Sequence, residues 1–284
     1  MYDIIIIGAG PAGLTAAINA RVRNKSVLVL TNDWKQTYLY QAKQIDNYPG
    51  HPGISGAEIL ESLVSHAKEL GAEIDTKRVL TIMPMDDQFY VSAGARVEQA
   101  KSIILAIGTG SHAKLPGETD LVGRGVSYCA TCDGMLYRNG KRVVVVGKAA
   151  DAVEEANFLK EIGCVVTFVS QKPVEGLADG IEQVTANRLE IKGEGAVEVL
   201  VADGNEIPAD GIFVFRQTVA PTDLLPGLKT EDGGIWVDRR METSIPGIFA
   251  AGDCTGRPLQ VMKAMGEGQR AALSAVEDLN QPTS

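Results

Sequence analysis

The sequence predicts an α/β chain built from two three-layer domains. Three observations predict it. A β-branched run near the N-terminus leads into a glycine-rich turn and a helical segment. A second strand–turn–helix–strand unit begins at Arg142. A strand pattern ending in Gly252-Asp253, followed by a long helical segment, closes the chain. Parallel strands buried on both faces read as continuous aliphatic runs rather than as alternation. Helices crossing between such strands supply the outer layers.

The first unit reads in order. Asp3 to Ile7 is a buried parallel strand, Leu14 to Val22 a helix and Ser26 to Leu30 the second strand. Between the first strand and the helix lies Gly8-Ala9-Gly10-Pro11-Ala12-Gly13. This is the β-α-β context that a dinucleotide fingerprint requires. Gly8 allows the tight turn, Gly10 lets backbone approach a pyrophosphate, and Gly13 lets helix pack close to strand. The helix N-terminus then stabilises phosphate charge. Thr31 stands where an acid usually binds ribose, which leaves its hydroxyl, Asn32 or Asp33 for that role. Asn47-Tyr48-Pro49-Gly50 and Pro52-Gly53 form a turn-rich loop. Ser55 to Leu70 is an amphipathic helix with Ile59, Leu60, Leu63, Val64 and Ala67 on one face. Ser102 to Ile107 is another buried strand, closed by Gly108-Thr109-Gly110.

The second unit places a strand over Val143 to Val146, a helix over Asp151 to Ile162 and a strand over Val165 to Val169. Its turn, Gly147-Lys148-Ala149-Ala150-Asp151-Ala152, is a damaged fingerprint. Ala149 holds the position where a glycine lets the pyrophosphate approach. Ser170-Gln171-Lys172 follows the second strand, with no arginine cluster to receive a 2′-phosphate. At the C-terminal end, Gly247 to Asp253 is a strand ending in Gly-Asp, and Gln260 to Leu279 is a helix. An aspartate at such a strand end accepts a ribityl hydroxyl, and the helix N-terminus faces the ring of a flavin.

The chemistry concentrates at Cys129-Ala130-Thr131-Cys132-Asp133-Gly134. A C-x-x-C arrangement lowers thiol pKa and makes the pair reactive. A closed zinc site needs four ligands. The remaining candidates, Cys164, Cys254, His51, His66 and His112, form no second pair at ligand spacing. Cys164 reads as a small buried apolar residue. Cys254 follows Asp253 and has either an inert or a redox role. Asp133 is the acid nearest the pair, as a proton-transfer group or as a cap.

Composition excludes other classes. The 284 residues are 45% hydrophobic, so a full core is expected. Net charge is −9 with no block of like charges, which argues against a nucleic-acid partner. Ile4-Ile5-Ile6-Ile7 is too short for a membrane span or a signal core. A cytoplasmic protein without a membrane role is expected. Four cysteines are too few for a secreted disulfide scaffold of this length.

These motifs together resemble the low-molecular-weight thioredoxin reductases. The likeness runs along nearly the whole chain. It is carried by Gly8-x-Gly10-x-x-Gly13, Asn47-Tyr48-Pro49-Gly50, Ala106-Ile107-Gly108, Cys129 to Gly134, and Thr243 to Asp253. The resemblance implies two Rossmann-like domains, the second inserted into the first. A FAD-binding domain would span 1–113 and 240–284. The insert, 114–239, would be of the pyridine-nucleotide type and carry the dithiol. Non-covalent FAD is implied at Gly8, Gly10, Pro11, Ala12, Gly13, Thr31, Asn47, Val79, Ala106, Gly108, Gly252, Asp253, Gln260 and Val261. Cys132 would be the flavin-proximal sulfur, Cys129 the thiol that attacks thioredoxin, and Asp133 their acid. A homodimer is also implied.

The departures point to a branch. Besides Ala149 and the missing arginines, Trp34, Tyr38 and Tyr40 replace a Gly-Gly-Gln-Leu turn. Leu259 stands where the family often has arginine, and Arg216-Gln217-Thr218 replaces a glycine-containing turn. These features, with Arg23-Asn24-Lys25-Ser26, Met241-Glu242-Thr243 and Met262 to Gln269, are similar to the ferredoxin-dependent flavin thioredoxin reductases. NADPH is then doubtful and reduced ferredoxin is the expected donor. A plant-type ferredoxin near −400 mV and a thioredoxin near −270 mV differ by roughly 130 mV. That is about 6 kcal/mol for two electrons. The chain is acidic, so an acidic ferredoxin needs a local basic patch; Arg124, Arg138, Lys141 and Arg142 are the nearest candidates. Two readings stand beside this one: an NADPH-dependent thioredoxin reductase with an atypical site, and a flavin redox-sensing module without turnover.

Overall fold

The computed structural model describes residues 1–32, 34–94, 96–109, 114–149, 151–216 and 220–281. Asp33, Gly110, His112, Ala150, Gln217 and Thr218 lie outside the described residues. The chain divides into two compact units, Met1–Gly110 with Ala220–Ser284, and Ser111–Val219. Sequence reading extended the inserted segment to residue 239. Contacts group 220–239 with the first unit instead.

The first unit opens with β1 (Tyr2–Ile7), α1 (Pro11–Arg21) and β2 (Val27–Thr31). Helix α1 starts three residues earlier than the apolar pattern suggests. Proline is favoured at a first helical position, where its missing N–H is no loss, and Pro11 takes that position. A short helix α2 (Tyr38–Gln41) is capped by Thr37 Oγ1, which accepts from Tyr40 N–H. Helix α3 (Gly56–Glu69) has a reciprocal capping box between Ser55 and Glu58. Then come β3 (Glu73–Thr76), β4 (Val79–Met85), β5 (Gln88–Ala93) and β6 (Arg96–Leu105). The strand read over 102–107 is thus the second half of β6. Polar residues in its first half hid the start.

The second unit begins with β7 (Val126–Ser127), the one-turn helix α4 (Ala130–Asp133) and β8 (Arg142–Lys148). Helix α5 (Ala152–Glu161), β9 (Val165–Ser170) and β10 (Glu182–Thr185) follow. Strands β11 (Leu189–Lys192), β12 (Val199–Ala202) and β13 (Asn205–Pro208) form an antiparallel sheet before β14 (Gly211–Arg216). The main sheet is parallel, in the order β10-β9-β8-β14-β7. Val143 and Val145 of β8 pack with α5 residues Ala152, Ala156 and Leu159. Val144 and Val146 pack with Ile191, Leu200 and Ala202 of the antiparallel sheet. Both faces of β8 are therefore buried, as a continuous valine run requires.

The chain returns to the first unit through α6 (Pro221–Leu224), β15 (Thr230–Glu231), β16 (Gly234–Ile235), β17 (Ile248–Ala250) and α7 (Val261–Leu279). Strands β3-β2-β1-β6 pair in parallel, β17 adds in parallel to Ile103–Leu105 of β6, and β4 and β5 extend the sheet antiparallel. Helix α7 lies on α1, whose buried residues are mostly alanine. At Gly268 of α7 a Cβ would run into the backbone carbonyl of Ala12.

This contact has a testable sign. Glycine to alanine inside a helix is favourable by about 1 kcal/mol on propensity alone. Overpacking against a rigid neighbour costs about 1–3 kcal/mol. Gly268→Ala is expected to lower stability by up to about 2 kcal/mol in urea unfolding. A stabilised variant would contradict the α1–α7 contact.

Candidate functional site

The first unit gathers its singled-out residues at the carboxyl ends of β1, β6 and β17. Strand order reverses between β1 and β6, the place where open parallel sheets bind ligands. Gly8 follows β1 with φ +111°, and a Cβ there would collide with the carbonyl of Ala106, which follows β6. Gly13 packs on the carbonyl of Gly8 with no room for a side chain. A Cβ at Gly10, by contrast, would meet nothing within 4 Å. Helix α1 has no side-chain cap and no acid in its first turn. Its N–H groups and positive dipole end are left for an anion. Thr31 is buried, and its hydroxyl accepts from Ala9 N–H at 3.3 Å, so it braces the turn.

Three further positions complete this face. Asp253 follows the Gly252 turn, half-buried, and among the described residues its carboxylate has no hydrogen-bond partner. Burial pushes that carboxyl up; Lys263 opposes the shift and Glu267 adds to it. Gln260 precedes α7 and accepts from Asn47 Nδ2 at 2.8 Å, so two residues 213 apart in sequence meet. Val261 begins α7, whose first turn also carries no acid. Gly108, φ +67°, faces open space, and Val79 is buried at the start of β4. Trp34 packs edge-on to Tyr40 at 5.4 Å against the core, whereas Tyr38 is almost fully exposed.

In the second unit Cys129 and Cys132 form a disulfide, Cα atoms 5.3 Å apart. Cys129 Sγ accepts from Cys132 N–H at 3.1 Å and lies 3.4 Å from Thr131 Oγ1. Donors aimed at one sulfur favour its thiolate once the bond opens. Ser127 links the motif internally. Its hydroxyl donates to Asp133 Oδ2 at 2.7 Å and accepts from Cys129 N–H at 3.1 Å. Cys132 is exposed and Cys129 half-buried. The other cysteines are buried thiols. Cys164 donates to the Tyr137 carbonyl, and burial pushes its thiol up. Burial holds Cys254 up at about 11, and it bonds the Leu105 and Ala251 carbonyls. Neither is a thiolate at neutral pH.

The carboxyl end of the second sheet is chemically different from that of the first. Strand order reverses between β8 and β14, which end in Lys148 and Arg216, partners across the register. Arg216 makes a two-pronged ion pair with Glu118, one prong at 2.8 Å. Glu118 is fully buried and also accepts from Leu115 N–H at 2.7 Å and Tyr128 Oη at 2.9 Å. Ala149 packs against the core on the α5 side. Glu154 and Glu155 stand in the first turn of α5. Of the proposed basic patch, Arg142 pairs with Asp210 and Lys141 lies 5.7 Å over the Tyr137 ring; Arg124 and Arg138 are exposed.

A family model described as pyridine nucleotide-disulphide oxidoreductase matches residues 2–268. The chain belongs to the pyridine nucleotide-disulphide oxidoreductase family. Within that family it is 35% identical to a thioredoxin reductase of Listeria monocytogenes, over 99% of this chain and 96% of the relative. A solved ferredoxin-flavin thioredoxin reductase of Clostridium acetobutylicum is 42% identical, with a TM-score of 0.90 over 97% of this chain and 96% of the other. A thioredoxin reductase structure from Gloeobacter violaceus is 33% identical, with a TM-score of 0.86 over 100% of this chain and 95% of that one.

In this pyridine nucleotide-disulphide oxidoreductase, sequence reasoning missed Glu118 and Ser127. Arg216 was singled out only as a departure. Glu118 lies 98 residues from its partner, and nothing local signals the pair. Its chemistry gives a test. Burial pushes the Glu118 carboxyl up, but Arg216, Leu115 N–H and Tyr128 outweigh it and hold it below the ordinary 4.5. A lowered carboxyl contributes stability that is fully present above the unfolded value and is lost as pH falls through the folded one. Glu118→Ala leaves a buried guanidinium unpaired and is expected to cost about 3–5 kcal/mol at neutral pH. The deficit should shrink on acidification below about pH 4.5. Urea unfolding across pH measures both; a constant or absent deficit would contradict the pair's role.

Proposed function

We propose that this chain is a thioredoxin reductase that carries FAD on its first unit and takes its electrons from reduced ferredoxin. The observation that carries the reading is the contrast between two equivalent places. At the switch point of the first sheet stand Gly8 and Ala106 beside an uncapped, acid-free helix end. At the switch point of the second stand Lys148 and Arg216, with Glu118 drawn into the arginine and Glu154 and Glu155 in the helix turn. Carboxylates at a helix N-terminus compete with a pyrophosphate for the same dipole.

The first site fits FAD on its own chemistry. Gly10 leaves backbone open to a pyrophosphate, and Asp253 is a half-buried acceptor without a partner among the described residues. Residues Gly8 to Gly13 would hold the pyrophosphate, Asp253 a ribityl hydroxyl, and Asn47, Gln260 and Val261 the ring end. When bound, FAD supplies electrons to the protein disulfide.

The disulfide accepts two electrons and two protons and opens to a dithiol. Cys129 is the attacking sulfur, because Cys132 N–H and Thr131 are placed to stabilise its thiolate. Its attack on a thioredoxin disulfide forms a mixed disulfide and expels one thioredoxin thiolate. Cys132 then attacks Cys129, restores the internal disulfide and releases the second thiolate. Asp133, fixed by Ser127, is the local group for moving the protons. The likeness to the ferredoxin-flavin thioredoxin reductase of Clostridium acetobutylicum supports ferredoxin as donor.

The test mixes the anaerobic holoprotein with NADPH or with reduced ferredoxin and follows the visible flavin band. Ferredoxin should bleach it and NADPH should leave it unchanged. Rapid bleaching by NADPH, with none by ferredoxin, would overturn the donor. A protein bleached by ferredoxin that then leaves thioredoxin oxidised would overturn the acceptor.

A further inference from the structure

Helix α7 carries a charged pair that the proposed reaction does not use. Lys263 and Glu267 lie one turn apart at 3.1 Å, with only 16% and 21% of their side chains exposed. An intrahelical pair on an open surface would simply face water. This one turns inward. Lys263 Nζ donates to the Gly252 carbonyl at 2.8 Å, the Thr255 hydroxyl at 2.9 Å and the Gly256 carbonyl at 2.8 Å. Glu267 Oε2 accepts from Gly252 N–H at 2.9 Å and from Thr255 Oγ1 at 2.8 Å.

All three ammonium protons are therefore spent on one turn, and both backbone groups of Gly252 are held. That turn is a demanding one. Gly252 has φ +88°, and a Cβ there would stand 2.8 Å from the Ala12 side chain on α1. A half-buried ion pair is weak grounds for stability, because desolvation offsets its attraction. Its bonds converge instead on the residues flanking Asp253, the half-buried carboxylate without a hydrogen-bond partner among the described residues.

We infer that Lys263 and Glu267 are positioning residues for the dinucleotide, locking the Gly252–Gly256 turn so that Asp253 meets a polyol hydroxyl of the cofactor. The inference rests on the reading of the first unit as the FAD site. Lys263 acts through Asp253 and makes no contact of its own with the cofactor. Its ammonium has no donor left over. Removing Lys263 and removing the Asp253 charge must then be redundant rather than independent.

The experiment is a double-mutant cycle on FAD release from the purified holoprotein, read as the rise in flavin fluorescence after dilution. Lys263→Met and Asp253→Asn are each expected to release FAD at least about tenfold faster than wild type, about 1.4 kcal/mol by the usual conversion. The double variant should release no more than about twofold faster than Asp253→Asn alone. Thr255→Val, which removes the hydroxyl shared by the pair, is the second probe should Lys263→Met not fold; severalfold faster release is expected. Wild-type release from Lys263→Met or from Thr255→Val, or losses that multiply in the double variant, would overturn the inference alone. A wild-type protein that takes up no FAD would overturn the cofactor assignment, and this inference with it.

Discussion

Backbone must approach backbone where β1 ends, and the first unit is arranged around that constraint. Gly8 passes the Ala106 carbonyl, Gly13 rests on the Gly8 carbonyl, and Ala12 receives both Gly252 and Gly268. Each contact excludes a Cβ. Together they draw α1, the β17 turn and α7 to one end of the sheet. The α1 N-terminus is then presented without a cap. An uncapped helix end leaves N–H groups that water or an anion can satisfy. Close packing thus shapes the place that we propose as the FAD site.

The second unit repeats the topology with opposite chemistry. Its sheet also reverses order, between β8 and β14, so geometry alone would offer a second nucleotide site. The side chains at the two places differ. Arg216 and Lys148 bring charge where Ala106 and Gly8 bring none, and Glu118 spends the arginine inside the protein. A fold supplies places, and residues determine whether a place is used. The second unit also carries Cys129 and Cys132, with Ser127 and Asp133 bound beside them.

Much of this was legible in the sequence where signals are local. The β1 and β8 runs, the apolar face of α3, the fingerprint glycines and the C-x-x-C all act within a few residues. Their elements appear where read, shifted by a few positions at the ends. The first half of β6 was not legible, because Arg96, Glu98 and Lys101 break the apolar pattern while the strand is held by β5. Glu118 was invisible for a different reason: its partner is distant in sequence, and a lone glutamate in a turn reads as surface. Lys263 and Glu267 have helical spacing, yet spacing cannot show that both face Gly252. Asn47 and Gln260 were named separately, and only the fold joins them.

We propose that two like switch points in one chain hold a single dinucleotide. Calorimetric titration of NADPH into the FAD-loaded protein, with the flavin content of the same sample measured, tests it most directly. One FAD per chain is expected, with no saturable heat from NADPH up to about 1 mM, the upper end of ordinary substrate affinities. Saturable NADPH binding at one site per chain, with FAD still in place, would contradict it.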